Sequence, residues 1–142
     1  MIFTSKSPAE TQKFGAKLAK QLASQKNRAP IQIDLLGEVG AGKTTFVQGM
    51  AQGLGLKTYT VSSPTFTMIH QYGHLIHVDL YRIEKQTEFE TLGLEDYLAP
   101  GNILMIEWAD RAPEFKTERQ IQIRFEVLSE KERRIEVSNI DL

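Results

Sequence analysis

A chain of 142 residues with 41% hydrophobic and 25% charged residues can build one hydrophobic core, and it reads as a single domain over residues 1–142. It has no cysteine, which excludes disulfides, cysteine-ligated zinc and a thiol nucleophile. The formal net charge of −1 argues against a chain that grips nucleic acid by itself, which normally takes a broad basic surface.

No run of about 18 apolar residues occurs, so no membrane span is expected. Residues 1–6 lead straight into a lysine-bearing polar helix pattern and not a signal-peptide pattern, and a cytoplasmic location is the natural expectation. Ser7-Pro8-Ala9-Glu10 reads as a capping box with proline in the first helical turn. Phe14, Leu18 and Leu22 then recur at four-residue spacing as a core-facing stripe, and the helix fades over 24–28. Residues 1–28 hold Lys6, Lys13, Lys17, Lys20, Lys26 and Arg28 against Glu10, a net of +5, which leaves −6 for the remainder. Lys13, Lys17 and Lys20 share a helical face, read either as a solvated face or as a docking surface for an acidic partner or RNA.

Residues 31–36 read as a strand, although Gln32 and Asp34 are more polar than an interior parallel strand calls for. Gly37-Glu38-Val39-Gly40-Ala41-Gly42-Lys43-Thr44 follows, fitting G-x-x-x-x-G-K-[ST], and residues 45–51 continue as a helix. Strand, loop and helix in that order are the setting of a phosphate-binding P-loop. Its chemistry needs successive backbone N–H groups aimed at phosphate oxygens, with side chains out of the way, and a helix N-terminus facing the same anion. A nucleotide such as ATP is therefore expected on Glu38, Val39, Gly40, Ala41, Gly42, Lys43, Thr44 and Thr45. Lys43 is expected at the β- and γ-phosphates and the Thr44 hydroxyl on Mg²⁺.

Gly53 and Gly55 end that helix. A short strand is read at 58–61, broken by Ser62-Ser63-Pro64, followed by a hairpin of 66–72 and 75–81 around Gly73. Residues 84–98 are acidic and weakly helical, interrupted near Gly93, and 103–106 form the most buried-looking strand. Beyond Pro113, Ile121, Ile123, Phe125 and Val127 alternate with polar residues, as do Ile135 and Val137, which reads as an antiparallel hairpin with one wet face. The expected fold is an α/β, P-loop NTPase-like three-layer domain. Its parallel central sheet is extended by antiparallel strands, including the C-terminal hairpin.

A P-loop enzyme also needs a carboxylate at the end of a neighbouring buried strand. Glu107 and Asp79 both stand there, each after a run of four strand residues. Glu107 is favoured for the magnesium side, directly or through water, and Asp79 for orienting the attacking water or holding a switch-like loop, with the two roles open to exchange. The catalytic set is thus Lys43, Asp79 and Glu107, and the metal set Thr44 and Glu107. His70, His74 and His77 have a spacing that would suit zinc on a helix, but on a hairpin they do not converge. Trp108 is read as core or as cover for a nucleotide or partner, and Arg82 as structural or as a charge for the transition state.

Together, the P-loop with Thr45-Phe46, Ser63-Pro64-Thr65-Phe66, Asp79-Leu80-Tyr81-Arg82 and Ile106-Glu107-Trp108 resemble one family: the bacterial TsaE (YjeE) ATPases of tRNA threonylcarbamoyladenosine synthesis. Glu38 stands where that family often has aspartate. The resemblance implies a small ATPase, slow alone, working with the TsaD and TsaB proteins. Those carry out threonylcarbamoyl transfer to the adenosine beside the anticodon in tRNAs reading codons that begin with A. It implies that tRNA is met indirectly, that Thr44 and Glu107 serve Mg²⁺, that Lys43 serves the phosphates, that Thr65 belongs to a switch-like loop and that Asp79 matters for hydrolysis. The competing classes are a small-molecule or nucleotide kinase and a GTP switch. The kinase would need an arginine-rich lid where 84–98 is acidic, and the switch an Asn-Lys-x-Asp run that does not occur.

Overall fold

A computed structural model describes residues 1–25, 28–56 and 68–138. The strand read at 58–61, its break at Ser62–Pro64, the first residues of the following strand and Thr65 lie outside the described residues.

The chain runs β1 (Ile2–Ser5), α1 (Pro8–Ala23), β2 (Ile31–Leu36), α2 (Lys43–Gly53), β3 (Ile69–Tyr72), β4 (Leu75–Asp79), α3 (Gln86–Thr91), β5 (Ile103–Glu107), β6 (Arg119–Val127) and β7 (Arg133–Ser138). Short 3₁₀ turns occupy Leu94–Tyr97 and Ala109–Arg111. The strands form one sheet in the order β1-β7-β6-β2-β5-β4-β3. Strands β6, β2, β5 and β4 are mutually parallel, and β1–β7, β6–β7 and β3–β4 pair antiparallel. The mixed α/β sheet expected from the periodicities is therefore present.

Two details differ from the expectation. Ile2–Ser5 is a strand and not a lead-in to the helix. Four residues carry too little periodicity to announce a strand, and this one exists because β7, more than 120 positions later, supplies its ladder. The C-terminal hairpin joins the sheet through β6, which lies parallel to β2, so the parallel core extends on both sides of the P-loop strand.

Side-chain alternation divides the sheet into two faces. On one face Ile31, Ile33, Leu35, Met105, Ile121, Ile123, Ile135 and Val137 meet α1 and α2. A run of ring contacts ties that layer together: Phe3 stacks on Phe14 at 4.7 Å, Phe14 meets Phe46 at 6.0 Å, and Phe46 meets Phe125 edge-on at 5.4 Å. The helix α1 starts with the Ser7 side chain accepting the Glu10 N–H and Pro8 in the first turn, the serine half of the expected capping box. Helix α2 packs so closely on α1 that a Cβ on Gly49 would run into the backbone of Gln12. On the opposite face Ile76, Val78, Leu104 and Ile106 meet Leu80, Ile83, Phe89, Leu94 and Ala112. The acidic 84–98 segment thus closes a second core, with Gly93 (φ 67°) breaking it between α3 and the 3₁₀ turn.

The polar residues of β2 have a partner-based explanation. Gln32 donates to Asp34 (2.9 Å) and to the Phe115 carbonyl (3.3 Å), and accepts the Thr117 N–H (3.1 Å). Gln120 on β6 donates to the other Asp34 oxygen at 2.8 Å. This buried network ties the segment around Phe115 and Thr117 to β2 and β6.

Candidate active site at the carboxyl ends of the parallel strands

Strand β2 ends at Leu36, and the chain turns at once into the glycine loop that leads to α2. Gly37 lies so near β6 that a Cβ would sit 2.7 Å from the Phe125 carbonyl oxygen. Gly42 caps α2 in a left-handed conformation, φ 101°, which few residues other than glycine adopt. The helix begins at Lys43, so the N–H groups of its first turn have no intrahelical acceptor and point, with the positive end of the helix dipole, out of the loop. That is a built anion-binding geometry.

Register brings the acids to the same place. Leu35 on β2 and Asp79 on β4 are both Cα partners of Glu107 on β5, so the two carboxylates stand level with the start of the loop. Strand β5 is buried at every residue. A cavity of about 440 Å³ opens here, lined by Val39, Gly40, Gly42, Lys43, Thr44 and Thr45 from the loop and helix, and by Asp79, Tyr81, Glu107 and Trp108 from the strand ends. Brought together there are Lys43, Thr44, Thr45, Asp79 and Glu107, from three separate stretches of chain. Glu38 and Ala41 instead line a separate depression with Arg124 and Phe125.

Lys43 is nearly buried and donates to the Gly37 carbonyl at 2.7 Å. Its ammonium lies 3.4 Å from Glu107 Oε1. The other oxygen, Oε2, accepts from His77 Nε2 at 2.7 Å. Burial by itself pushes the Glu107 carboxyl up, but the His77 imidazole and the Lys43 charge outweigh it and hold Glu107 below the usual carboxylate range. Asp79 is pushed up, first by burial and then by the Glu107 charge, against the pull of the Tyr81 N–H, which it accepts at 2.9 Å, and of His77 and Lys43. The two carboxylates differ in character: Glu107 is held ionised between two donors, while Asp79 faces the cavity with fewer.

The oxygen donors Thr44, Asp79 and Glu107 suit a hard divalent cation such as Mg²⁺. Among the described residues no three His, Cys, Asp or Glu side chains are grouped so as to hold a metal ion by themselves.

Trp108, directly after Glu107, adopts φ 59°; among the described residues it alone does so without being glycine. Its ring sits 5.1 Å from Tyr81, and the Arg111 guanidinium lies 5.5 Å from the Trp108 ring and 6.0 Å from the Tyr81 ring. Tyr81 and Trp108 line one side of the cleft, and Arg111 lies against both rings. Arg82 is exposed and does not line the cavity.

Of the three histidines, His70 meets the Tyr72 hydroxyl, His74 meets Asn102, and His77 meets Glu107. His77 is the neighbour of Glu107 that a reading for zinc passed over. The signal was the period of two: on β4, His77 and Asp79 share a face.

The threonylcarbamoyl adenosine biosynthesis protein TsaE family model matches residues 5–135. The chain is 36% identical over 118 residues to a tRNA threonylcarbamoyladenosine biosynthesis protein TsaE of Haemophilus influenzae, covering 80% of this chain and 74% of that one. It is 35% identical over 133 residues to the protein of that name in Aquifex aeolicus, covering 90% and 91%. The crystal structure of Bacillus subtilis YdiB superposes with a TM-score of 0.66 at 29% identity, covering 95% of this chain and 82% of that one.

Proposed function

The chain belongs to the TsaE family of threonylcarbamoyl adenosine biosynthesis proteins, and on that premise we propose that it binds ATP with Mg²⁺ and hydrolyses it slowly as a subunit of the tRNA-modifying machinery. The observation that carries this reading is the meeting of Lys43, Asp79 and Glu107 around one cleft at the mouth of the glycine loop.

In the proposed mechanism backbone N–H groups among residues 38–44, with the Ala41 N–H instead donating to the Glu38 carbonyl at 3.0 Å, and the Lys43 ammonium hold the triphosphate and take up charge that develops on the transferring group. Lys43 exchanges its bonds to Gly37 and Glu107 for phosphate oxygens. Asp79 orients water for in-line attack on the γ-phosphate. Thr44 and Glu107 would hold Mg²⁺, which when bound neutralises charge on the phosphates.

We further propose that the chain works as one domain, in the cytoplasm, with the TsaD and TsaB proteins, and that it meets tRNA through them. In support, no described helix is long and apolar enough to cross a membrane, and the formal charge is −1. The exposed Lys13, Lys17 and Lys20 face of α1 is a candidate docking surface. A kinase reading has less support. The segment where an acceptor lid would lie instead buries Phe89 and Leu94 in the second core.

The test is the ATP hydrolysis rate of the chain alone and with a matching TsaD–TsaB pair. A slow basal rate that rises with the pair is expected. An unchanged rate, with tRNA modification indifferent to the chain, would overturn the partner assignment.

A further inference from the structure

His77 has no role in the mechanism above, yet it occupies the most enclosed position around the site. Its side chain is fully buried on β4, beside Met105 as its Cα partner on β5. It shares that sheet face with Leu75 and Met105, both part of the apolar core. Nε2 reaches Glu107 Oε2 at 2.7 Å, and among the described residues Nδ1 has no hydrogen-bond partner. A buried imidazole kept only for packing is a poor choice. It leaves one polar atom unsatisfied where leucine would fill the space without that cost. The single engaged nitrogen is the one directed at Glu107.

We infer that His77 is a positioning residue which, by holding Glu107 Oε2, presets the carboxylate so that Oε1 is ready for the cation-bearing nucleotide. The two Glu107 oxygens are held from different sides: Oε2 by a ring locked in the core, Oε1 by the Lys43 ammonium at 3.4 Å. Phosphate competes for Lys43. Once that ammonium turns to phosphate, Oε1 is released while Oε2 stays fixed, and the carboxylate does not have to be ordered anew. Without His77, Glu107 can rotate, and its ordering is charged against cation binding. Outer partners of metal-side groups commonly change metal affinity by roughly 10–100-fold. The inference rests on the reading of the cleft as a magnesium–nucleotide site.

The experiment compares wild type, His77→Leu and His77→Gln by titration of a fluorescent ADP analogue, in EDTA and across a Mg²⁺ series. His77→Leu is expected to leave binding in EDTA within about twofold of wild type. It should raise the Mg²⁺ concentration for half-maximal effect about tenfold. His77→Gln keeps an N–H donor and should recover part of that shift. In a Glu107→Ala background, His77→Leu should add nothing. A His77 Nε2–H signal in the NMR spectrum of the nucleotide-free chain, shifted or lost in Glu107→Ala, is a second readout independent of activity. An unchanged Mg²⁺ midpoint in His77→Leu would overturn the inference, as would an equal loss of binding with and without Mg²⁺, which marks a merely structural role. If wild type binds no nucleotide under any condition, the proposed function itself falls, and this inference with it.

Discussion

The Lys43 ammonium lies 3.4 Å from Glu107 Oε1 while still bonded to the carbonyl of Gly37. The lysine proposed to meet phosphate is thus folded back onto its own loop and onto the acid of the neighbouring strand. Both side chains are nearly buried, so each compensates the charge of the other until a ligand arrives. Lys43→Ala removes the phosphate-directed cation and leaves Glu107 with only His77. ATP affinity is expected to fall at least about tenfold, or ~1.4 kcal/mol, with a lower melting temperature. Equilibrium titration and thermal melts check the two effects separately.

Glu107→Gln keeps the size of the side chain and removes the charge. Hydrolysis is expected to drop by about 100-fold, the usual scale for losing one preorganised electrostatic group, while nucleotide binding in EDTA changes little. Wild-type turnover in this variant would take Glu107 out of the site.

The same carboxylate sets a pH dependence. Glu107 is held below its ordinary value of 4.5 in the folded chain. A depressed folded pKa gives stability that is present above pH 4.5 and lost as pH falls through the folded value. Thermal melts of the nucleotide-free chain should therefore show a steeper acid-side decline for wild type than for Glu107→Gln, which has no proton to take up.

Asp34 has the opposite sign. Burial raises it above 3.8 despite hydrogen bonds from Gln32 and Gln120. The folded state favours its protonated form, so its contribution is present below pH 3.8 and lost as pH rises through the folded value. Asp34→Asn is expected to stay within about 1 kcal/mol of wild type at pH 7 and to compare less well as pH falls toward 4. Asp34→Leu, which strips both glutamines of their acceptor, should cost about 2–3 kcal/mol. Denaturant unfolding at several pH values distinguishes these outcomes, and a pH-independent difference for Asp34→Asn would contradict the assigned shift.

Gly49 sits where α2 crosses Gln12 of α1, with no room for a Cβ. Overpacking of this kind costs about 1–3 kcal/mol. Gly49→Val should lower the melting temperature by several degrees, with Gly49→Ala intermediate. Unchanged melts for both would mean that the helices can separate at no cost.

The sequence by itself determined the glycine loop, the two helices beside it, the buried strand before Glu107 and the alternating C-terminal hairpin. Each of these rests on local chemistry: glycine at forced backbone positions, a capping serine, a period of four or of two. It also marked Asp79 and Glu107 as strand-end acids. What it left open was settled by partners distant in the chain. Ile2–Ser5 is a strand because β7 lies alongside it. The hairpin joins through a parallel pairing of β6 with β2, which periodicity cannot reveal because both orientations show the same alternation. Gln32 and Asp34 looked misplaced until Gln120, Phe115 and Thr117 came to meet them. His77 became a partner of Glu107 only when β4 and β5 fell into register, because a hydrogen bond across 30 residues is decided by strand pairing and leaves no mark on local spacing.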